Sequence, residues 1–189
     1  MNIVLVPIGA VDPAELRMLV NPLRAVFSRD VVIGEGVPLP KAARNDPRSQ
    51  HDAEMVLESL ALSVEMERHD RVLGVTNADL YLPGMNFVFG IARERWAIIS
   101  LHRLRESFYG LPDDPDLFRR RAVVEAVHEL GHTFGLAHCK RSRCVMFFSN
   151  TVAETDRKGP EFCMRCRLHL ASEGLGGRAL AWGGGPVES

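Results

Sequence analysis

The sequence lacks any long apolar run. No stretch of its 189 residues approaches the roughly 18 consecutive apolar residues that a membrane-spanning helix requires, so we expect no membrane span. The N-terminus also lacks the basic region of a signal peptide, and its apolar run at residues 3–6 ends at Pro7. We therefore expect a cytoplasmic protein, in which thiols stay reduced.

A charge excess is absent as well. The 23 Lys and Arg residues nearly balance the 24 Asp and Glu residues, and the formal net charge is −1. Such a balance argues against a dedicated binder of nucleic acids or of anionic membranes. The sequence has no glycine-rich phosphate-binding loop, so nothing supports nucleotide use. With 46% hydrophobic residues, it can bury the core of one globular domain.

Short apolar runs alternate with helical patterns in the first 75 residues, which predicts an α/β fold with a mainly parallel sheet. The runs that predict strands are residues 3–6, 31–33, 72–75, 87–89 and 96–101. The patterns that predict helices are residues 14–27, which Pro22 should kink or end, and residues 51–68, 118–134 and 163–172. Loops are predicted at residues 34–49 and 77–83, and a flexible glycine-rich tail at residues 173–189.

One motif, HELGHTFGLAH beginning at His128, carries chemistry. His128 and His132 are four residues apart, so on a helix they share one face and can bind one zinc ion. Glu129 lies beside that face, where it is placed to act as general base toward a zinc-bound water. Gly135 can adopt a positive φ and end the helix, which makes His138 a plausible third ligand. Three histidines leave the fourth zinc position open, as in a catalytic site.

Four cysteines predict a second metal site. Cys139 and Cys144 are separated by four residues, and after 18 more residues Cys163 and Cys166 are separated by two. This is a four-cysteine zinc spacing, and four thiolates complete a tetrahedral zinc, so the site should be structural. The zinc should contribute folding free energy to a segment with little apolar material. Two disulfides or free buried thiols are the alternative, which a reducing compartment disfavours.

These residues together resemble a known family. HELGHTFGLAH matches the signature of the metzincin metallopeptidases, and Met146 resembles the methionine of their Met-turn, although a plain core methionine would also fit. The order HExxHxxGxxHC-x4-C-x-M…CxxC is similar to the archaemetzincin pattern, and VLGVTNADLY, FVFG and SLHRL look like upstream blocks of that family. The resemblance covers roughly residues 1–172.

The resemblance implies a zinc-dependent metallopeptidase with a metzincin-like α/β fold, that is, a mixed, mainly parallel sheet with helices and a long active-site helix. It implies one domain, residues 1–172, with an upper part (1–135), a zinc-stapled lower part (136–172) and a cleft between them. It also implies a peptide substrate held in extended form on an antiparallel edge strand. The run at residues 87–89 is a candidate for that strand, and an ordinary hairpin strand is an equal alternative.

The neighbours His138 and Cys139 connect the two predicted sites. Adjacent side chains of an extended segment point to opposite sides, so one backbone can present His138 to a catalytic zinc and Cys139 to a structural zinc. We therefore expect two Zn²⁺ ions per chain, with the four-cysteine zinc fixing the position of the third histidine ligand.

Two other classes of function remain open. A metzincin fold with an empty or inert histidine site would act as a peptide-binding module. Residues 139–167 carry seven basic and three acidic residues, which is typical of a nucleic-acid-binding zinc ribbon but leaves the histidine motif unexplained. The other histidines, His51, His69, His102 and His169, have no ligand-like spacing. We expect a monomer that acts on peptides or proteins, with no nucleic-acid or membrane partner.

Overall fold

The structure, a computed structural model, describes residues 2–65 and 69–172. The predicted tail at residues 173–189 and the end of the helix predicted at residues 51–68 lie outside the described residues. No helix among the described residues combines the length and apolar character needed to cross a bilayer.

Strands and helices alternate along the described chain. The strands are β1 (Asn2–Ile8), β2 (Asp30–Ile33), β3 (Arg44–Asn45), β4 (Gln50–Asp52), β5 (Arg71–Thr76), β6 (Leu80–Tyr81), β7 (Gly90–Arg93) and β8 (Trp96–Ser100). The helices are α1 (Pro13–Phe27), α2 (Ala53–Ser63), α3 (Pro115–Thr133), α4 (Val152–Arg157) and α5 (Met164–Ser172). Short 3₁₀ helices lie at Lys41–Ala43, Asp46–Arg48, His102–Leu104 and Glu106–Tyr109.

The main sheet has the strand order β2-β1-β5-β8-β7, and only β7 runs antiparallel to its neighbour. Successive side chains of a strand point to opposite faces. In β1, accordingly, Ile3 and Leu5 pack in the core shared with α1 and α3, whereas Val4 and Val6 pack in the core shared with α2. Helices therefore cover both faces, and the predicted α/β class with a mainly parallel sheet is confirmed.

The three longest helices begin where an aspartate accepts hydrogen bonds from the first free backbone N–H groups. Asp12 caps α1, Asp52 caps α2, and Asp114 caps α3, which begins at Pro115 rather than at the predicted residue 118. Pro22 does not end α1, because the helix continues to Phe27. The small sheet β3-β4-β6 lies in segments predicted as loops or as the start of a helix, since strands of two or three residues leave no periodic pattern.

The strand predicted at residues 87–89 is wrong. Val88 forms only an isolated bridge to Leu80, and the edge strand is β7, within the charged stretch that follows. An edge strand needs one partner and tolerates charged side chains on its open side, so it carries little apolar signal. Glu94, in the left-handed region with φ of 55°, turns the chain between β7 and β8.

Helix α3 is the central helix of the core. From Arg121 to Gly131 every residue is buried, and its apolar side chains pack against the sheet on one side. The same hydrophobic core continues into the chain beyond α3 and includes Met146, Phe162 and Leu170. The buried guanidinium of Arg121 binds the carboxylate of Asp156 on α4 at 2.7 Å, which ties that segment to α3. Helix α3 is thereby fixed between the sheet and the chain that follows it.

Candidate functional site

Three imidazoles converge at the C-terminal end of α3. His128 and His132 lie one turn apart on the helix, and Gly135, with φ of 84°, reverses the chain so that His138 returns toward them. The Nε2 atom of His132 lies 3.2 Å from Nε2 of His128 and 3.2 Å from Nε2 of His138. The structure thus brings together the three histidines of the motif, which we call the three-histidine site.

Backbone carbonyls determine where the imidazole protons lie. Nδ1 of His128 donates to the carbonyl of Val145 at 2.7 Å, and Nδ1 of His132 donates to the carbonyl of Leu136 at 2.7 Å. Because a carbonyl oxygen only accepts, each Nδ1 carries the proton and each Nε2 offers a lone pair. Burial lowers the pKa of both imidazoles, well below the ordinary value for His128, so both are neutral.

These nitrogens fit a zinc ion. Lone pairs that face one another at 3.2 Å repel unless a cation lies between them. Two zinc–nitrogen bonds of about 2.0–2.1 Å at a tetrahedral angle place their nitrogens about 3.3 Å apart, close to the observed separations. The three ligand nitrogens lie within 4.8 Å of one another.

Glu129 lies in the cleft between α3 and the edge strand. A cavity of about 320 Å³ is lined above by residues 85–90, on one side by α3 and below by residues 148–150. Glu129 contributes to its wall together with Glu125 and His128. Burial raises the pKa of Glu129 well above the ordinary value, and the neighbouring Glu125 raises it further.

Met146 is fully buried where its segment contacts α3. A Cβ atom on Gly131 would lie 2.5 Å from the Met146 sulfur, so the glycine is what lets the methionine pack this closely against the helix. The carbonyl of Met146 accepts a hydrogen bond from the backbone N–H of Cys139 at 2.8 Å. The Val145 carbonyl accepts a hydrogen bond from His128. Residues 145–146 therefore contact both α3 and the segment that carries His138.

The four cysteines form a second cluster directly behind His138. Sγ of Cys163 lies 3.8 Å from Sγ of Cys139 and 3.7 Å from Sγ of Cys166, and Cys144 lies 3.8 Å from Cys166. The thiols are free. These separations are far longer than a disulfide bond and match the roughly 3.8 Å between sulfurs of a tetrahedral zinc with bonds of about 2.3 Å. The four-cysteine cluster therefore fits zinc.

Hydrogen bonds within the four-cysteine cluster distinguish its thiols. Burial raises the pKa of Cys163, but hydrogen bonds from the Cys166 backbone and from the neighbouring thiols outweigh it and lower the pKa to about 7. Burial raises the pKa of Cys144 and of Cys166. Cys163 is thus the thiol that most readily supplies a thiolate to a metal.

Sequence analysis did not identify Lys158 as part of this region. Lys158 is fully buried, with Nζ 3.2 Å from Oε1 of Glu125, 3.1 Å from the carbonyl of Phe147 and 3.4 Å from Nδ1 of His128. Glu125 precedes His128 by three residues, so helical spacing from the motif could have found it. No local pattern signals Lys158, whose partner lies 33 positions earlier in the chain.

The remaining histidines and the basic residues of segment 139–167 form no further ligand cluster among the described residues. His51, His69, His102 and His169 belong to neither of the ligand clusters found among the described residues. The positive charge counted over residues 139–167 is reduced by pairing, since Lys158 is buried against Glu125 and Arg167 binds Glu161 at 3.1 Å.

Comparisons with known proteins agree with this geometry. The model of Peptidase family M54 matches residues 34–172. The archaemetzincin of Saccharolobus solfataricus is 41% identical over 167 residues, covering 88% of this chain and 91% of the relative. That of Methanocaldococcus jannaschii is 40% identical over 177 residues, covering 93% and 96%.

Solved structures are similar as well. The crystal structure of archaemetzincin from Methanopyrus kandleri matches with a TM-score of 0.80 and 39% identity, covering 91% of this chain and 94% of that one. The archaemetzincin of Archaeoglobus fulgidus, complexed with malonate, matches with a TM-score of 0.78 and 35% identity, covering 89% and 99%. The chain therefore belongs to Peptidase family M54, the archaemetzincins, and is a zinc metallopeptidase.

Proposed function

We propose that this chain hydrolyses peptide bonds at the three-histidine site, with His128, His132 and His138 as ligands of a catalytic zinc and Glu129 as general base. The observation that carries the proposal is the set of three Nε2 atoms with separations of 3.2 Å from His132 to each of the other two, next to a carboxylate in the same cleft. When bound, zinc supplies a Lewis acid that acidifies water and polarises a carbonyl.

The chain's own residues perform the remaining steps. Glu129 accepts the proton of the attacking water and delivers it to the leaving amine. The Val145 and Leu136 carbonyls hold the two helical imidazoles in the tautomer whose Nε2 faces the site. The peptide pairs in extended form with the outer edge of β7, whose ladder among the described residues is with β8 alone.

We also propose that Cys139, Cys144, Cys163 and Cys166 hold a second, structural zinc, so that the chain carries two. Four ligands leave no open position for substrate, which makes this ion structural. The proposed unit is one peptidase domain over residues 1–172, in which residues 136–172 form the lower part, and it acts as a monomer.

The decisive experiment replaces Glu129 and measures activity together with zinc. Glu129→Gln keeps the shape of the side chain but removes its basicity, so we expect peptide hydrolysis to fall by at least about 10³-fold while zinc per chain stays unchanged. Glu35→Gln, an exposed carboxylate that follows β2 at the edge of the sheet opposite β7, is the matched control and should retain full activity.

Hydrolysis that persists in a clean Glu129→Gln preparation would exclude Glu129 as the base. A wild-type enzyme that holds zinc at the three-histidine site, binds peptides and cleaves none would favour the inert peptide-binding module.

A further inference from the structure

Acidic side chains contribute to the wall of the cavity beside Glu129, which we call the cleft pocket. Its volume is about 320 Å³, enough for a large side chain. Two carboxylates, Glu125 and Glu129, contribute to its wall, and none of the described residues that line it is Lys or Arg. Lys158 pairs with Glu125 from outside this lining, and the two carboxylates on the pocket side can still pair with a cationic side chain.

Glu125 contributes a buried carboxylate to the wall of the cleft pocket. The residue is 2% exposed. Lys158 and the hydroxyl of Thr155 both contact its Oε1 atom, at 3.2 Å and 2.8 Å. At this wall the carboxylate can also accept a hydrogen bond from a donor that enters the cleft pocket. The charge of Lys158 compensates the buried carboxylate without closing it off.

Another residue that lines the cleft pocket, Ser149, has a hydroxyl group without a hydrogen-bond partner in the part of the chain that the structure describes. The hydroxyl of Ser149 is buried and makes no hydrogen bond to any described residue. Buried hydroxyl groups are almost always hydrogen-bonded, so an unpaired one needs an explanation. A ligand that donates hydrogen bonds to both Ser149 and Glu125 would explain the unpaired hydroxyl.

The walls of the cleft pocket suit an aliphatic stem. Phe87 and Phe148 contribute apolar surface to its wall. The upper wall is held in place by Arg48, which donates to the carbonyls of Met85 and Asn86 at 2.9 Å and 2.8 Å. Apolar walls with a polar end match a side chain that buries methylene groups and carries a charged tip.

We propose that the cleft pocket binds a lysine or arginine side chain of the substrate, next to the cleaved bond, and that Glu125 and Ser149 select it. This specificity rests on the proposed function, because it concerns the peptide that the three-histidine site would cleave. A neutral side chain of similar shape without a donor makes no ion pair with Glu125 and leaves the Ser149 hydroxyl unpaired, and a site built for a donor discriminates against a ligand without one.

The test compares peptides that differ at one residue. Bonds cleaved in a random peptide library are first identified by mass spectrometry. Matched peptides then carry arginine, lysine, citrulline or norleucine on either side of such a bond. At one of the two positions we expect kcat/KM to be at least about tenfold higher for arginine than for citrulline, and for lysine than for norleucine.

Substitutions in the cleft pocket test which residues produce the preference for arginine and lysine. Glu125→Gln combined with Lys158→Met removes the carboxylate without leaving an unpaired buried lysine, and should reduce both ratios to within about threefold. Ser149→Ala should lower them severalfold. Glu35→Gln, an exposed carboxylate that follows β2 at the edge of the sheet opposite β7, should leave them unchanged.

Two results separate this proposal from the proposed function. Cleavage with equal kcat/KM for all four peptides overturns the selectivity and leaves peptide hydrolysis intact. If the wild type cleaves nothing, the proposed function fails, and fluorescence anisotropy on the zinc-loaded Glu129→Gln protein still decides. It then uses four labelled peptides of one fixed sequence that differ only in arginine, lysine, citrulline or norleucine at the central position. Tighter binding of the arginine and lysine peptides supports the pocket assignment, and equal binding overturns it.

Discussion

At the scale of single residues, glycines determine where the site's side chains can lie. Gly90 opens the edge strand β7 beside α3, and a Cβ atom there would lie 2.6 Å from Cγ of Glu129 and 2.5 Å from the carbonyl oxygen of Ile98. Heavy atoms do not approach this closely without displacement. The missing side chain is therefore a condition for the position of Glu129 next to the strand.

Gly90→Ala should accordingly displace Glu129 or lift β7 from β8. We expect kcat/KM for peptide hydrolysis to fall at least about tenfold, because small errors in the position of a catalytic group have large kinetic costs. Zinc per chain should not change, since no histidine is touched. Steady-state kinetics and zinc analysis of the purified variant measure both.

Gly159→Ala is the control for this substitution. An added Cβ there meets nothing within 4 Å, and Gly159 does not have a positive φ. It should keep full activity. If Gly90→Ala also keeps full activity, the position of Glu129 does not depend on the absence of a side chain at residue 90.

A count of residue types alone overstates the positive charge on the surface of residues 139–167. Lys158 counted toward a basic surface typical of nucleic-acid binding, yet the structure buries it against Glu125. A charge count registers every lysine equally, whereas burial in an ion pair depends on contacts between residues far apart in the chain. The case for a nucleic-acid-binding surface is weaker for this reason.

At the scale of elements, helices were more predictable than strands. A 3.6-residue period places His128 and His132 on one face whatever else the chain does, and the structure has their Nε2 atoms 3.2 Å apart. The edge strand β7 was missed because Val88 and its aromatic neighbours are more apolar than the strand itself. Which of two adjacent runs pairs with β8 depends on tertiary contacts that local composition does not encode.

The segment after α3 is an element shared by both ligand clusters. His138 is exposed and reaches the three-histidine site, while its neighbour Cys139 lies 3.8 Å from Cys163 in the four-cysteine cluster. Removing one thiolate by Cys166→Ser should release the zinc of that cluster and loosen this segment. We expect zinc per chain to fall from two to less than one, with peptide hydrolysis lost in parallel.

Leu168→Ser is the matched control on the same helix, since Leu168 is 64% exposed. It should keep two zinc ions. Circular dichroism verifies that the Cys166→Ser protein is folded. A folded Cys166→Ser protein that retains one zinc and full activity would show that the three-histidine site does not need the four-cysteine zinc.

At the scale of the whole molecule, the described chain has no break between upper and lower parts. One hydrophobic cluster extends from Ile3 in β1 through α3 to Cys166 and Leu170 in α5. The ion pair between Arg121 and Asp156 bridges the same two regions. Parts that share a core unfold together, whereas domains with separate cores unfold separately.

The zinc-loaded protein should therefore give a single cooperative peak in differential scanning calorimetry. Removing the bound zinc under denaturing conditions and refolding without metal should lower Tm by at least about 6 °C, because zinc binds the folded chain and a loss of about 3 kcal/mol corresponds to that shift at this size. The peak should remain single. A metal-free protein that shows a separate low-temperature transition would mean that residues 136–172 fold as a zinc-dependent unit of their own, and that the shared core contributes less to their stability than the four thiolates do.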